Sequence, residues 1–144
     1  MRFSAAVGRQ VVGADAADTV GQVAGFAVDP VGRRVLAVHV KKSGSGTTLP
    51  WSSISTFGDD AVIVRGADAI GEPDKASAAL TGKDHAVIGK RVLTSAGNEL
   101  GTVGDVDFDP ASGAITSLLL DNSEDIAGTR LVGVGSYAIV VDAQ

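Results

Sequence analysis

The chain has 144 residues, and 12 Lys and Arg against 17 Asp and Glu give a net charge of −5. It contains no Cys, and its only histidines are His39 and His85. Disulfides, thiol nucleophiles, thiolate zinc or iron–sulfur centres and a three-histidine metal site are therefore excluded, and the acidic balance argues against general nucleic-acid binding.

With 44% hydrophobic and 20% charged residues, intrinsic disorder is excluded. A chain of this length suits one compact domain or two very small ones, burying roughly 68–70% of its unfolded surface. No apolar run reaches the ~18 residues of a membrane helix. The start, Met1-Arg2-Phe3-Ser4-Ala5-Ala6-Val7-Gly8, is too short and polar for a signal peptide. The expectation is a soluble cytoplasmic protein without membrane insertion.

In chain order, the first landmark is Val7-Gly8-Arg9-Gln10-Val11-Val12, which returns as Ile88-Gly89-Lys90-Arg91-Val92-Leu93, 81 residues on. Gly21-Gln22-Val23 returns as Gly101-Thr102-Val103, and Asp29-Pro30 as Asp109-Pro110, both 80 residues on. Landmarks recurring in one order indicate a tandem duplication. Period-two alternation predicts a strand over Gly21–Asp29, with Ala24, Phe26 and Val28 on one face and Val23, Gly25 and Ala27 on the other. Gly104, Val106 and Phe108 take the matching face in the second copy. Asp29-Pro30-Val31-Gly32 and Asp109-Pro110-Ala111-Ser112-Gly113 read as tight turns leading into strands at Arg34–Val40 and Ala114–Leu120. A Ser/Gly loop at residues 43–46, Leu49-Pro50-Trp51, a turn at residues 52–54 and a strand at Ala61–Val64 complete the first copy. Gly71 to Gly82 reads as a linker in which Pro73, Ala76, Ala78, Ala79 and Leu80 favour a helical turn or two. The second copy closes with strands at Arg130–Val132 and Tyr137–Val141.

Gly8-Arg9-Gln10-Val11-Val12, Gly21-Gln22-Val23, Val28-Asp29-Pro30 and Leu49-Pro50-Trp51-Ser52-Ser53-Ile54 resemble, in that order, the PRC-barrel family. That family includes the cytoplasmic domain of the photosynthetic reaction-centre H subunit and the C-terminal domain of the ribosome-maturation factor. The second copy matches through Gly89-Lys90-Arg91-Val92, Asn98-Glu99-Leu100-Gly101-Thr102-Val103 and Phe108-Asp109-Pro110. It departs where Leu131-Val132-Gly133-Val134-Gly135 stands for the Leu-Pro-Trp segment. The resemblance implies an all-β chain of two tandem, small SH3-like closed barrels at residues 1–70 and 83–144, joined by a short helical or irregular linker at 71–82. It also implies a non-enzymatic docking or adaptor module with an unknown protein partner, in the setting of a membrane-associated complex. The alternatives are a ribosome or RNA-processing accessory factor and a small-ligand or metal sensor.

The residues themselves offer few chemical sites. Gly133-Val134-Gly135-Ser136-Tyr137-Ala138 matches G-x-G-x-x-A, but a strand, not a helix, is expected to follow. Asp105, Asp107 and Asp109 alternate along a strand and read as a solvated face; a weak cation site is the rival. They contribute to an acidic second half, since residues 73–144 carry 5 basic and 10 acidic side chains. Lys41-Lys42 before Ser43-Gly44-Ser45-Gly46 reads as a flexible loop and not a phosphate cradle. Without a nucleophile elbow, a Ser–His–Asp triad has no support. His85, in Lys83-Asp84-His85-Ala86, and His39 read as surface or interface histidines. No catalytic, metal or cofactor residue is expected.

Interaction is expected at Trp51, His39 and Leu119. Trp51 is either barrel packing or an exposed docking anchor. Leu119 stands where the first copy has His39, so the outward face around Val35, Ala37 and His39 keeps apolar bulk in both copies. These faces are expected to meet within one chain, and a homodimer through the same faces is the rival.

Overall fold

In the computed structural model, which describes residues 1–79 and 85–143, twelve strands fall into two six-stranded sheets. A single helical turn, α1 (Phe3–Ala6), precedes β1 (Gln10–Gly13), β2 (Asp18–Asp29) and β3 (Arg34–Lys41). β4 (Thr48–Pro50), β5 (Ile54–Phe57) and β6 (Ala61–Val64) complete the first sheet, in the order β4-β3-β2-β1-β6-β5. A five-residue helix, α2 (Lys75–Ala79), lies in the expected linker just after Pro73. Leu80, Lys83 and Asp84 lie outside the described residues. The second sheet comprises β7 (Arg91–Thr94), β8 (Glu99–Phe108), β9 (Ile115–Leu120), β10 (Asp125–Ala127), β11 (Leu131–Val134) and β12 (Ile139–Val141). Its order, β10-β9-β8-β7-β12-β11, repeats the first.

The two sheets also share their irregularities. Register shifts fall at Val11/Val12, Val23/Gly25, Ala27/Val28 and Ile54/Thr56. They recur at Val92/Leu93, Val103/Asp105, Asp107/Phe108 and Leu131/Gly133. A bulge bends a strand, so β2 pairs with β1 at one end and with β3 at the other, and β8 does the same with β7 and β9. The bulges also overturn the strict two-face reading of these strands. Val23, Ala27 and Val28 are all buried, whereas Ala24 and Gly104 are exposed, because an inserted residue flips the alternation.

The expected closed barrels are not closed by hydrogen bonds, since β4 and β5 lie at opposite ends of their sheet, as do β10 and β11. A 3-10 turn at Trp51–Ser53, set by Pro50, links β4 to β5 and redirects the chain between them. Its counterpart is the 3-10 turn Gly128–Arg130 between β10 and β11. That correspondence corrects the sequence alignment. Ile126-Ala127-Gly128, not Leu131–Gly135, takes the place of Leu49-Pro50-Trp51. Gly128 is needed there because a Cβ would lie 1.9 Å from the Ile115 carbonyl oxygen.

The tight turns form as their residues dictate. Asp29 accepts the Val31 amide at 3.1 Å, and Asp109 the Ala111 amide at 2.9 Å. Each turn ends in a left-handed residue, Arg33 at φ +56° and Gly113 at φ +82°. Between these turns the two halves join. The Val35 amide donates to the Gly113 carbonyl at 2.7 Å, and the Ile115 amide to the Arg33 carbonyl at 2.9 Å, around an Arg34–Ala114 bridge. The 80-residue offset exchanges one bond for the other, so the junction is self-complementary about a local two-fold.

The core is one cluster drawn from both halves. All four Phe and the single Trp meet in it. Phe108 of β8 has ring centroids of Phe3, Phe26 and Phe57 at 5.4 Å and of Trp51 at 6.2 Å, all from the first half. This covers both halves with a single core and predicts cooperative unfolding. Phe108→Ala, in the second half, should cost about 3–5 kcal/mol and lower the midpoint reported by Trp51 in the first. Trp51 fluorescence and circular dichroism should give coincident denaturant transitions in parent and variant. Two separable transitions would show independent halves.

Candidate functional site

The seam between the halves places most of the singled-out residues, and it does so in two related hollows. Under the 80-residue offset Ala24, Gly25 and His39 correspond to Gly104, Asp105 and Leu119. The first three line one hollow of about 430 Å³, and the other three line one of about 360 Å³. Each hollow is bordered by the lead-in segment of the opposite half: residues 85–88 over the first, Arg2 beside the second. His39 and Leu119 are thus equivalent in place but are not the seam itself. Both are half-buried in separate hollows, and the junction runs instead through Val35, Gly113, Ile115 and the aromatic cluster.

Around Leu119 the hollow is charged, and the Asp row is already engaged. The Ser4 hydroxyl donates to Asp105, and the Ser4 amide does so at 3.1 Å. The Met1 ammonium meets Asp107 at 2.8 Å, and Asp109 closes its own turn. The Met1 carbonyl also accepts the Phe108 amide at 2.7 Å, so the row fastens the N-terminal segment across β8. Partial burial pushes the Asp105 carboxyl up, but the Ser4 and Val106 hydrogen bonds and the Arg2 charge outweigh it and hold it below its ordinary value. No group of three metal-ligating side chains occurs among the described residues. Alternation along a strand misses this because Asp105 and Asp107 find their partners on the N-terminal segment, far away in sequence.

Around His39 the hollow is apolar, lined by Phe3, Val7, Phe26, Val87 and Ile88 with both histidines of the chain. Burial disfavours the charged ring and lowers the His39 pKa from its ordinary value. The meeting of His39 with His85, 46 positions apart, carries no signal in the sequence.

Trp51 takes an intermediate place, half-buried. Its ring stacks on Phe57 at 5.6 Å, stands edge-on to Phe108, and covers Gly113. With Ile54, Ser55, Thr56, Pro110 and Ala111 it lines a third hollow of about 300 Å³ that spans both halves.

The remaining motifs are structural. The G-x-G-x-x-A run joins β11 to β12 as a hairpin, with the Gly135 amide on the Ala138 carbonyl at 3.1 Å. The Ser/Gly loop is fastened by a Thr47 amide bond to Gly71 at 3.0 Å and by Ser43 Oγ accepting the Ser45 amide.

Duplicated strands, paired turns and a small, two-edged sheet define this architecture, and the family comparison bears on its second half. Residues 82–143 match the PRC-barrel domain. Over those residues the chain is similar to the PRC-barrel family. No curated protein matches the chain significantly. The matched half contributes Phe108, Gly113 and the Asp row to the seam; the other half contributes Phe3, Phe26, Phe57 and Trp51.

Two outcomes follow from this geometry. Gly113→Ala adds a Cβ 2.9 Å from the Trp51 ring at a left-handed position. It should cost about 1–3 kcal/mol and shift Trp51 emission. His39 takes up a proton less readily in the folded chain than in the unfolded chain, whose ordinary pKa is 6.5. Its contribution is therefore intact above pH 6.5 and declines on acidification. Denaturant midpoints between pH 7 and pH 5 should fall more steeply for the parent than for His39→Gln.

Proposed function

We propose that the chain is a non-enzymatic docking module in the cytoplasm, made of two PRC-barrel units that act as one rigid body. The observation that carries this reading is the PRC-barrel match over residues 82–143, a domain type used for protein interaction. The first half has the same strand order and the same bulge positions, which supports reading it as a second unit of that type. A shared aromatic core gives a partner a surface of fixed shape, which lowers the ordering cost of association.

The docking surface in this reading is the hollow around Trp51. It draws on both halves, and it offers a half-buried tryptophan flanked by Pro110 and the edge strand β5. Tryptophan is enriched among residues that dominate binding energy. The partner is a protein held in a membrane-associated complex, and the docking module itself does not insert.

The rim of the hollow can be blocked without touching the core, because Ser55 and Ala111 are exposed. Cross-linked capture from native lysate should retain a defined partner on the parent chain. Ser55→Arg and Ala111→Arg should each lose that partner with unchanged melting temperature. Retention by both variants, or no defined partner at all, would sink the reading.

A further inference from the structure

A polar hollow of about 640 Å³ adjoins the Trp51 hollow and shares Ile54 and Ser55 with it. Two carboxylates line it, Asp15 from the β1–β2 turn and Asp68 from the 3-10 turn Ala67–Ala69, together with Ser53 and Arg65. Glycines clear room for the first of them. A Cβ at Gly13 or Gly66 would stand 2.9 or 2.5 Å from an Asp15 carboxylate oxygen. Among the described residues neither Asp15 nor Asp68 has an ion-pair partner, Arg65 included. Two carboxylates against one guanidinium leave the lining with a net negative charge.

The second sheet shows what such a place accepts. Ile54–Val64 and Leu131–Val141 are equivalent pairs, one between β5 and β6 and the other between β11 and β12, each followed by a bulge. Ser53 and Arg130 end the 3-10 turns that lead into these pairs. Arg65 and Asp142 follow them. Arg130 donates from Nε and Nη2 to the Asp142 carbonyl, at 3.2 and 2.5 Å. A guanidinium therefore fills this place in the second half. In the first half the serine at its position is too short to do so. The equivalent Arg65 carbonyl accepts the Asp15 amide at 3.1 Å, and a carbonyl oxygen has a second lone pair to offer. A planar guanidinium, with five donors in a fixed fork, matches carboxylates and a carbonyl better than the point charge of an ammonium does.

We propose that this hollow receives an arginine side chain of the docked protein partner, its guanidinium reaching Asp15, Asp68 and the Arg65 carbonyl. Continuity with the Trp51 hollow through Ile54 and Ser55 argues for a protein's arginine over a free one. The proposal rests on the docking reading for the source of that arginine, and its test needs no partner.

The full chain is titrated with N-acetylarginine methylamide and with the corresponding lysine compound, and amide shifts are followed by NMR. The arginine probe should give saturable shifts confined to residues 15–16, 52–55 and 65–69. The lysine probe should bind about fivefold more weakly. Asp68→Asn, at an exposed position, should weaken the arginine probe by a similar factor. Ser53→Arg installs the side chain of the second half and should abolish probe binding without lowering the melting temperature. The two probes on the parent chain, with Asp68→Asn, decide the matter even where that variant fails to fold. Equal affinity for the two probes, no saturable shift, or undiminished binding by folded Ser53→Arg would overturn the assignment. A partner captured by a chain that does not bind the probe would sink the arginine site alone. Probe binding without a capturable partner would sink the docking reading and leave the guanidinium site standing.

Discussion

Phe108 is the side chain on which the rest of this structure depends. It stands on a strand of the second sheet, and its aromatic neighbours are Phe3, Phe26, Phe57 and Trp51 of the first. A sheet of about sixty residues has too much surface for its volume to be robust alone. With only five Phe and Trp side chains, the chain cannot supply two aromatic cores. It builds one and shares it. The remaining joints follow from that sharing: the Val35–Gly113 and Ile115–Arg33 bonds bring the turns together, and the N-terminal strap holds the edge of β8.

Two sheets with one strand order and one set of bulge positions carry unlike surfaces. The bulges and left-handed turn residues are conserved between the halves, because they set where each strand bends and turns. The side chains at the seam are not. Trp51 faces Gly113, while its own counterpart is Gly128, which sits tightly on Ile115. Arg33 sends its Nε to the Leu131 carbonyl at 2.9 Å, where its counterpart Gly113 has no side chain and makes room for the Trp51 ring. Asp105 lines its hollow with a carboxylate, where Gly25 brings no side chain to the other. Each pair uses a large residue in one half and glycine in the other, so the local two-fold is kept by the backbone and broken by packing.

Much of the fold was legible residue by residue. The Asp-Pro turns declare themselves because aspartate bonds a backbone amide two positions on, an interaction contained within the turn. Ala61–Val64, Arg34 onward and the helix after Pro73 were legible for the same reason: apolar runs and punctuation act locally. β5 and β10 were not, since Ser55-Thr56 and Asp125 carry no strand pattern of their own and are held in strands by β6 and β9. The faces of β2 and β8 were misread because a bulge leaves no mark in an apolar alternation. Of the interaction residues, Trp51 stood out as the single tryptophan. The placing of His39 and His85 on one hollow was invisible, as was the use of Asp105 and Asp107 as a strap, since both bring together segments far apart in sequence.

The sequence by itself determined the landmarks that recur some eighty residues apart, the strand-and-turn grammar, the absence of thiol and three-histidine chemistry, and the resemblance to the PRC-barrel family. Those properties reside in composition and in contacts only a few residues apart. Tertiary structure alone decided that the sheets stay open at the Trp51 and Gly128 turns, that one aromatic core serves both halves, and which side chains face the two hollows. Those outcomes depend on how two nearly equivalent surfaces fit once they meet. A fit of that kind is set by the volume and hydrogen-bond capacity of residues some eighty positions apart, which no local pattern records.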